Sequence, residues 1–318
     1  FFTNMGRVYR TKVWQLPEAS RDARGGHVAG LLSFLPEEHI TRVMTLRSYD
    51  DAKYLLLATR AGLVKKTQLT AYDSSRQAGV IAINFRTDDD ELIGAELCGP
   101  DDDVLLISRK GQAIRFGADD EQLRPMGRAT SGVTGMKFRG DDELLSMSVI
   151  EAGTDEDERF VFTATDGGYA KRTLVSEYRR QGRGGLGIKA MALSEDRGSL
   201  VGGLVVQEAD EVIAIRTSGQ LTRSAVAEVP VKGRSTMGVK FVNVRGKDAV
   251  SIIALNPEHE EPDDPQPSHD EVRGTTQGGE SEARDGASDE DASTDEDTAG
   301  TVVSDEASDD AGEHGEQA

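Results

Sequence analysis

The sequence predicts an all-β, propeller-like fold of five repeats. Three observations lead to this prediction: a glycine-centred pattern recurs five times, short apolar runs flank each copy, and helical periodicity is scarce. The pattern is an apolar run, Thr or Ser, a short turn, a glycine, then apolar and basic residues. Its glycines are Gly6, Gly62, Gly111, Gly168 and Gly219, which lie 56, 49, 57 and 51 residues apart. Repeats of about 50 residues that hold several short strands are typical of propeller blades.

The second repeat predicts the strands of one unit. Tyr54–Thr59, Leu63–Thr67, Val80–Phe85 and Glu91–Cys98 are short, rich in Val, Ile and Leu, and bounded by Gly, Asp or Ser. The turn at 60–62 suits a hairpin with a glycine at positive φ. Four strands in each unit predict five four-stranded blades side by side.

Charge divides the chain into two parts. The 318 residues include 37 basic and 57 acidic ones, for a net charge of −20. Residues 257–318 hold 22 acidic and 2 basic residues, whereas residues 1–256 hold 35 of each. The last 62 residues also lack aromatic side chains, so they have too little apolar surface to form a core. We therefore predict a folded domain over 1–256 and a disordered acidic C-terminal tail over 257–318.

Composition excludes several classes of protein. A single cysteine, Cys98, excludes an internal disulfide and a cysteine-rich zinc site. No apolar run approaches the roughly 18 residues that a membrane helix needs. The chain opens on Phe1-Phe2-Thr3, without Met or a signal-peptide pattern, which we interpret as the cut end of a longer protein.

Basic residues recur with the repeats. A base lies four positions after each key glycine, at Arg10, Lys66, Arg115, Arg172 and Arg223. A glycine-rich loop later in each unit adds Arg24, Arg76, Arg128, Arg183 and Arg234. We predict that these bases form a band around the rim that binds a phosphate backbone, with an ordinary solvated rim as the alternative. Few aromatic residues lie among them and no recognition helix is evident, which favours duplex DNA bound with little sequence preference.

One loop matches a nucleotide-binding pattern. Residues 182–187 read Gly-Arg-Gly-Gly-Leu-Gly, but a dinucleotide site needs a helix after the last glycine. Ile188–Leu193 aligns instead with strands of the other repeats. We favour a loop whose backbone approaches phosphates beside Arg179, Arg180 and Arg183. No pattern of nucleophile, base and carboxylate predicts catalysis by these residues.

Four elements carry a family resemblance: ATRAGLVKKT from Ala58, LRPMGRATSGV from Leu123, ATDGGYAKRT from Ala164 and QGRGGLG from Gln181. Over about Phe1 to Leu255 the chain resembles the C-terminal domain of the A subunit of DNA gyrase, of the actinobacterial type. The resemblance implies a β-pinwheel of six four-stranded blades that exchange a strand between neighbours. It also implies wrapping of duplex DNA around the basic perimeter, in support of ATP-dependent negative supercoiling.

The resemblance further implies where this chain lies within that domain. It begins near the end of the first blade, after the family's Gln-Arg-Arg-Gly-Gly-Arg/Lys-Gly heptad. Gln181 to Gly187 is a second, box-like copy that departs from the heptad at Gly182 and Leu186. The predicted DNA-binding residues are Arg10, Arg24, Lys65, Lys66, Arg76, Arg115, Arg128, Lys171, Arg172, Arg179, Arg180, Gln181, Arg183, Gly184, Gly185, Lys189, Arg223, Lys232 and Arg234.

The implied partners are duplex DNA, the rest of the gyrase A subunit, and the gyrase B subunit in a heterotetramer, with no membrane partner. The implied location is the bacterial cytoplasm, at the nucleoid. We expect no cofactor here, because the holoenzyme holds ATP and Mg²⁺ elsewhere. We also expect no catalytic residue here, and we hypothesise that the acidic tail docks on the basic rim. The alternatives are the corresponding domain of topoisomerase IV, a propeller that binds proteins, and an enzyme with a nucleotide site at 182–187.

Overall fold

The computed structural model describes residues 1–20, 22–74, 76 and 78–256, so the predicted acidic tail lies outside the described residues. Within them the regular elements are β-strands and short 3₁₀ turns. The 3₁₀ turns are Val13–Gln15, Val28–Gly30, Leu69–Tyr72, Val175–Glu177, Glu195–Arg197 and Val226–Glu228. None of the helical segments in this part of the chain is long and apolar enough to cross a membrane. The all-β prediction is confirmed.

The strands follow the predicted repeats. They are β1 (Phe2–Thr3), β2 (Arg7–Val8), β3 (Ile40–Arg42), β4 (Tyr54–Thr59), β5 (Leu63–Gln68), β6 (Val80–Ile81), β7 (Leu92–Cys98), β8 (Asp103–Ser108), β9 (Gln112–Gly117), β10 (Val133–Thr134), β11 (Leu144–Ile150), β12 (Arg159–Thr165), β13 (Tyr169–Leu174), β14 (Ile188–Lys189), β15 (Leu200–Gln207), β16 (Glu211–Arg216), β17 (Leu221–Ala225), β18 (Val239–Lys240) and β19 (Val250–Asn256). All pairings between them are antiparallel.

Each of the first four blades takes one edge strand from the following repeat. The sheet orders are β3-β1-β2-β6, β7-β4-β5-β10, β11-β8-β9-β14 and β15-β12-β13-β18. We call β6, β10, β14 and β18 the exchanged strands. The fifth blade, β17-β16-β19, has three strands within the described residues. This arrangement is the strand exchange that the family resemblance implies.

The exchanged strands are shorter than the sequence predicts. Of the predicted run Val80–Phe85, only Val80 and Ile81 pair with the neighbouring sheet. The next two amides, of Ala82 and Ile83, both donate to the Gly6 carbonyl, at 2.7 and 3.1 Å. The chain therefore leaves the ladder after two residues and buries Ala82 and Ile83 over the hairpin turn of the preceding blade.

The hydrophobic core lies between successive blades. Every residue of β4 and of β8 is buried, because both strands are central in their sheets. One cluster joins Leu56 of β4 to Leu106 of β8 and Phe116 of β9, and the other blade boundaries have their own clusters. Blade-to-blade packing therefore accounts for most of the apolar burial.

The outer face of the fifth blade lacks such cover within the described residues. The strands β7 and β11 bury every third residue and half-bury those between, whereas β19 exposes the intervening positions. Ile252 and Leu255 are two of these exposed residues. The hairpin glycine of this blade, Gly219, likewise has no atom within 4 Å of an added Cβ.

We predict that Gly168→Ala destabilises the domain more than Gly219→Ala. Both glycines end hairpin turns at positive φ, 79° and 81°, which costs an alanine about 1–2 kcal/mol. A Cβ on Gly168 would also lie 2.1 Å from the Val242 carbonyl oxygen of the next repeat. The urea midpoints of the two variants measure the difference, and equal losses would contradict interlocking of hairpin turn and following repeat.

Candidate nucleic-acid interface

The repeated bases do not form the exposed stripe that the sequence predicts. Lys66, Arg115 and Arg172 are buried, and only Arg10 and Arg223 are exposed. The three buried side chains do not reach the surface, so their placement gives no support to the prediction that they bind DNA. We call Lys66, Arg115 and Arg172 the clamp bases.

Each clamp base joins its own blade to the following repeat. Lys66 donates through Nζ to the Ala118 carbonyl and pairs with Asp120 at 2.9 Å. The guanidinium of Arg172 donates from Nε to the Val229 carbonyl at 2.7 Å. A cation buried between two sheets needs such acceptors, since leaving a charge unpaired in the interior is costly.

Arg115 is held by two carboxylates. Its Nε donates to Asp103 at 2.6 Å and its Nη1 donates to Glu156 at 2.9 Å. It also reaches the Tyr178 carbonyl of the following repeat, at 3.3 Å. The hydrogen bond from Arg115 holds the pKa of Glu156 below its usual range. The two carboxylates in turn raise the pKa of Arg115, and Glu156 has the larger effect.

Lys65 and Lys171 were also predicted to bind DNA, and both are fully buried. Lys65 donates to the carbonyls of Ala82 and Arg128. Lys171 donates to the carbonyls of Gly233 and Arg234, at 2.8 and 2.5 Å. Both lysines fix the backbone of the next repeat's glycine-arginine loop, and neither side chain reaches the surface where DNA contact is predicted. Burial lowers the pKa of Lys65 to about 7 and that of Lys171 to about 8.

Three of the loop arginines occupy equivalent places at the sheet edges. Each donates from Nη1 to the second carbonyl of the preceding exchanged strand: Arg128 to Ile81, Arg183 to Thr134 at 3.1 Å, and Arg234 to Lys189 at 3.2 Å. We call Arg128, Arg183 and Arg234 the loop arginines from here on. A guanidinium has five N–H donors, so each keeps further donors for a ligand.

Charge is segregated along the chain in step with this geometry. The exchange segments, which carry the exchanged strands, are residues 74–86, 123–139, 178–189 and 229–240. They contain 13 Lys and Arg residues and no Asp or Glu. The body is neutral as a whole, so the acidic residues lie in the other parts of each repeat. This pattern gives the edges that carry the exchange segments a positive charge.

The segment from Arg179 to Lys189 is the most basic of these edges for its length. The Gln181 amide donates to the Arg115 carbonyl at 2.7 Å, and the Gly184 amide donates to the Gly135 carbonyl at 2.6 Å. The Gly185 carbonyl accepts from the Lys137 amide at 2.9 Å. These bonds hold the loop against the neighbouring repeat, with Arg179, Arg180, Arg183 and Lys189 exposed. The strand β14 follows Gly187, so the helix that a dinucleotide site requires is not present there.

Of the other predicted residues, Arg76 and Lys232 belong to the exchange segments, whereas Arg10, Arg24 and Arg223 lie elsewhere. Arg24 is exposed, but its segment forms a 3₁₀ turn at Val28–Gly30 where the other repeats have an exchanged strand. Arg76 and Lys232 are exposed on exchange segments. Arg10 pairs with Asp73, and Arg223 pairs with Glu211 at 3.3 Å.

Sequence reasoning missed five exposed bases of the exchange segments: Arg86, Arg124, Lys137, Arg139 and Lys240. Lys240 has a counterpart among the predicted residues. It is the second residue of β18, the place that Lys189 has in β14. Aligning Gly187-Ile188-Lys189 with Gly238-Val239-Lys240 would have identified it. The burial of Lys65 and Lys171 had no comparable indication, because a Lys in a strand is usually solvated.

We predict that Lys65 makes the stability of the domain rise with pH. In the folded protein its pKa is about 7, whereas an unfolded lysine keeps its proton to about pH 10. Between these values the unfolded chain binds more protons, so the free energy of unfolding increases with pH. The urea midpoint of the wild-type protein minus that of Lys65→Met should therefore increase from about pH 6 to about pH 9. Lys232→Met removes an exposed lysine as the matched control, and a flat difference for Lys65→Met would contradict the prediction.

Comparison with known proteins matches this architecture repeat by repeat. The family model described as DNA gyrase C-terminal domain, beta-propeller, matches residues 1–45, 53–98, 102–151, 159–207 and 210–256. The A subunit of DNA gyrase from Streptomyces coelicolor is 62% identical over 262 residues, and that from Nocardioides sp. is 58% identical over 285. The A subunit of DNA gyrase from Mycobacterium tuberculosis is 54% identical over 258 residues. Each match covers 81% of this chain, which spans about 30% of the length of these curated relatives.

Two solved structures share the fold. The C-terminal domain of DNA gyrase A superposes with a TM-score of 0.66 at 25% identity, covering 80% of each chain. The C-terminal domain of DNA topoisomerase IV gives a TM-score of 0.72 at 23% identity, covering 80% of this chain and 78% of that one. Because the family model matches the five repeats in order and the sequences of gyrase A subunits align along them, the chain belongs to the DNA gyrase C-terminal domain family.

Proposed function

We propose that the exchange segments bind the phosphate backbone of duplex DNA. The observation that carries this proposal is the regular placement of the loop arginines on three successive sheet edges, in segments with no acidic residue. Buried lysines fix the backbone that carries Arg128 and Arg234. A fixed row of guanidinium groups suits the regular spacing of phosphates and reads no base sequence.

Binding to several edges in succession would bend the DNA around the domain. Because the edges belong to blades that follow one another, a duplex that touches all of them has to curve, and the additional phosphate interactions offset the cost of bending. We infer that the domain wraps DNA in this way and so supports negative supercoiling. The relatives that match are A subunits of DNA gyrase, which supports this inference.

The remaining assignments follow from the family. We propose that the domain works within a heterotetramer of gyrase A and B chains, in the cytoplasm at the nucleoid. ATP and Mg²⁺ would bind elsewhere in that assembly, and this domain would contribute DNA binding and no catalytic residue. The corresponding domain of topoisomerase IV is the alternative, but its likeness at 23% identity extends to the fold alone.

We predict that replacing the loop arginines by alanine reduces the salt dependence of DNA binding. Each lost phosphate contact lowers the slope of log K against log salt by about 0.9, so Arg128→Ala/Arg183→Ala/Arg234→Ala should lower it by about 2.7. Fluorescence anisotropy of a labelled duplex in a salt series measures the slope. Arg42→Ala removes an exposed arginine of β3, paired with Glu96 at 2.7 Å, and should leave the slope unchanged.

Two results would argue against the proposal. Equal slopes for the triple variant and the wild-type protein would mean that the loop arginines do not contact phosphates. Failure of the wild-type protein to bind duplex DNA at low salt would shift the assignment to a propeller that binds proteins.

A further inference from the structure

Asp103, in the third blade, bonds both a buried arginine and an exposed one. It is the first residue of β8 and is 1% exposed. Its Oδ2 accepts from two guanidinium groups, Nε of Arg115 at 2.6 Å and Nε of Arg180 at 2.7 Å. Arg115 is a buried clamp base, whereas the side chain of Arg180 is 61% exposed at the foot of the Gln181–Gly187 loop. One carboxylate thus links the interior to the basic edge.

The other blades show what else fits at the position of Asp103. Asp103 begins β8 and pairs with Gly117, two residues after its clamp base Arg115. The equivalent residue in the second blade is Tyr54 of β4, which pairs with Gln68. The equivalent residue in the fourth blade is Phe160 of β12, which pairs with Leu174. Both aromatic rings lie under their clamp bases. Nζ of Lys66 is 4.5 Å from the ring centre of Tyr54, and the guanidinium of Arg172 is 4.6 Å from that of Phe160. An aromatic ring is therefore sufficient to seat a clamp base.

The residue type at the position of Arg180 also differs between blades, as it does at the position of Asp103. The residue after it, Gln181, donates its amide to the clamp base carbonyl of Arg115 at 2.7 Å. The corresponding amides in the neighbouring blades are those of Met126 and Lys232, both at 2.8 Å. The residues equivalent to Arg180 are therefore Pro125 and Val231. A parallel bridge joins Arg115 to Arg180, and the same bridge joins Arg172 to Val231.

We propose that Asp103 is a positioning residue that orients Arg180 as an additional phosphate contact beside the Gln181–Gly187 loop. This inference rests on the proposed function. Two blades of one chain place an aromatic and an apolar residue where the third places Asp103 and Arg180. The acid and the base stand at the edge that carries the box-like loop. Arg180 donates from Nε to Asp103, so its two terminal nitrogens remain available to bind a phosphate.

Because Asp103 is charged, a charge effect and a positioning effect predict opposite changes in DNA affinity. A carboxylate near a DNA surface repels the backbone, so removal of that charge by Asp103→Asn would tighten binding if charge were its only effect. If Asp103 orients Arg180, the same substitution weakens binding. Ordering one long side chain at an interface is worth about a 2- to 10-fold change in affinity, and we expect a loss in that range.

The experiment is a double-mutant cycle on the whole chain, with duplex affinity measured in a salt series. Asp103→Asn should weaken binding in the wild-type background and should not weaken it further in the Arg180→Ala background. Arg180→Ala alone should lower the salt slope by about 0.9. A tighter complex with Asp103→Asn, or the same loss in both backgrounds, would overturn the proposal.

A swap variant separates positioning from structure. Asp103→Phe/Arg180→Val copies the Phe160 and Val231 pair, and Arg115 retains Glu156 as Arg172 retains Glu208. It should unfold at the wild-type temperature and show the salt slope of Arg180→Ala. A wild-type slope in a folded swap variant would overturn the proposal.

A direct readout is the Nε–H resonance of Arg180, which should be protected from exchange in the free wild-type protein and lost in Asp103→Asn. Protection that persists in Asp103→Asn would overturn the ion pair. If the wild-type protein fails to bind the duplex, the proposed function fails first and this inference falls with it. If it binds with a steep slope and the cycle shows no coupling, this inference alone fails.

Discussion

A cation buried between two sheets must find acceptors, and this requirement fixes how the second, third and fourth blades each meet the following repeat. Lys66, Arg115 and Arg172 each reach the following repeat across the boundary between blades. The net contribution of such buried pairs to stability is small, because desolvation offsets the attraction. Their consequence is geometric: one register between blades satisfies the charges, and other registers leave them unpaired. The regular placement of the edges depends on this constraint.

Two further buried bases connect the interior to the surface loops. Lys65 and Lys171 bond backbone carbonyls of the loops that carry Arg128 and Arg234. The arginines in turn bond the exchanged strands of the preceding repeat. Interior lysine, loop backbone and surface arginine thus form one connected chain of hydrogen bonds. This connection accounts for the equivalent places of Arg128 and Arg234, which are half-buried at the sheet edges.

The repeat pattern and the strand-rich composition were sufficient to predict five blades, and β4 was predicted to the residue at Tyr54–Thr59. The exchanged strands were predicted too long, because Ala82 and Ile83 are apolar like a strand yet bond a turn carbonyl. The recurrence of the bases was visible in the sequence, but the burial of Lys66, Arg115 and Arg172 was not predicted. The sequence shows that Lys66 and Arg172 recur at one position, whereas burial depends on the neighbouring repeat, which local pattern does not reveal. The pairing of Asp103 with Arg180 required the register of three sheets.

The central claim is that the row of loop arginines curves DNA around the domain, and the linking number of a closed plasmid measures it directly. The protein is bound to nicked circular DNA, the nick is ligated, and the topoisomers are separated after the protein is removed. The account predicts a shift in linking number with the wild-type chain that fades as salt is raised, and no shift with Arg128→Ala/Arg183→Ala/Arg234→Ala. An unchanged linking number with bound wild-type protein, or an equal shift with the triple variant, would contradict it.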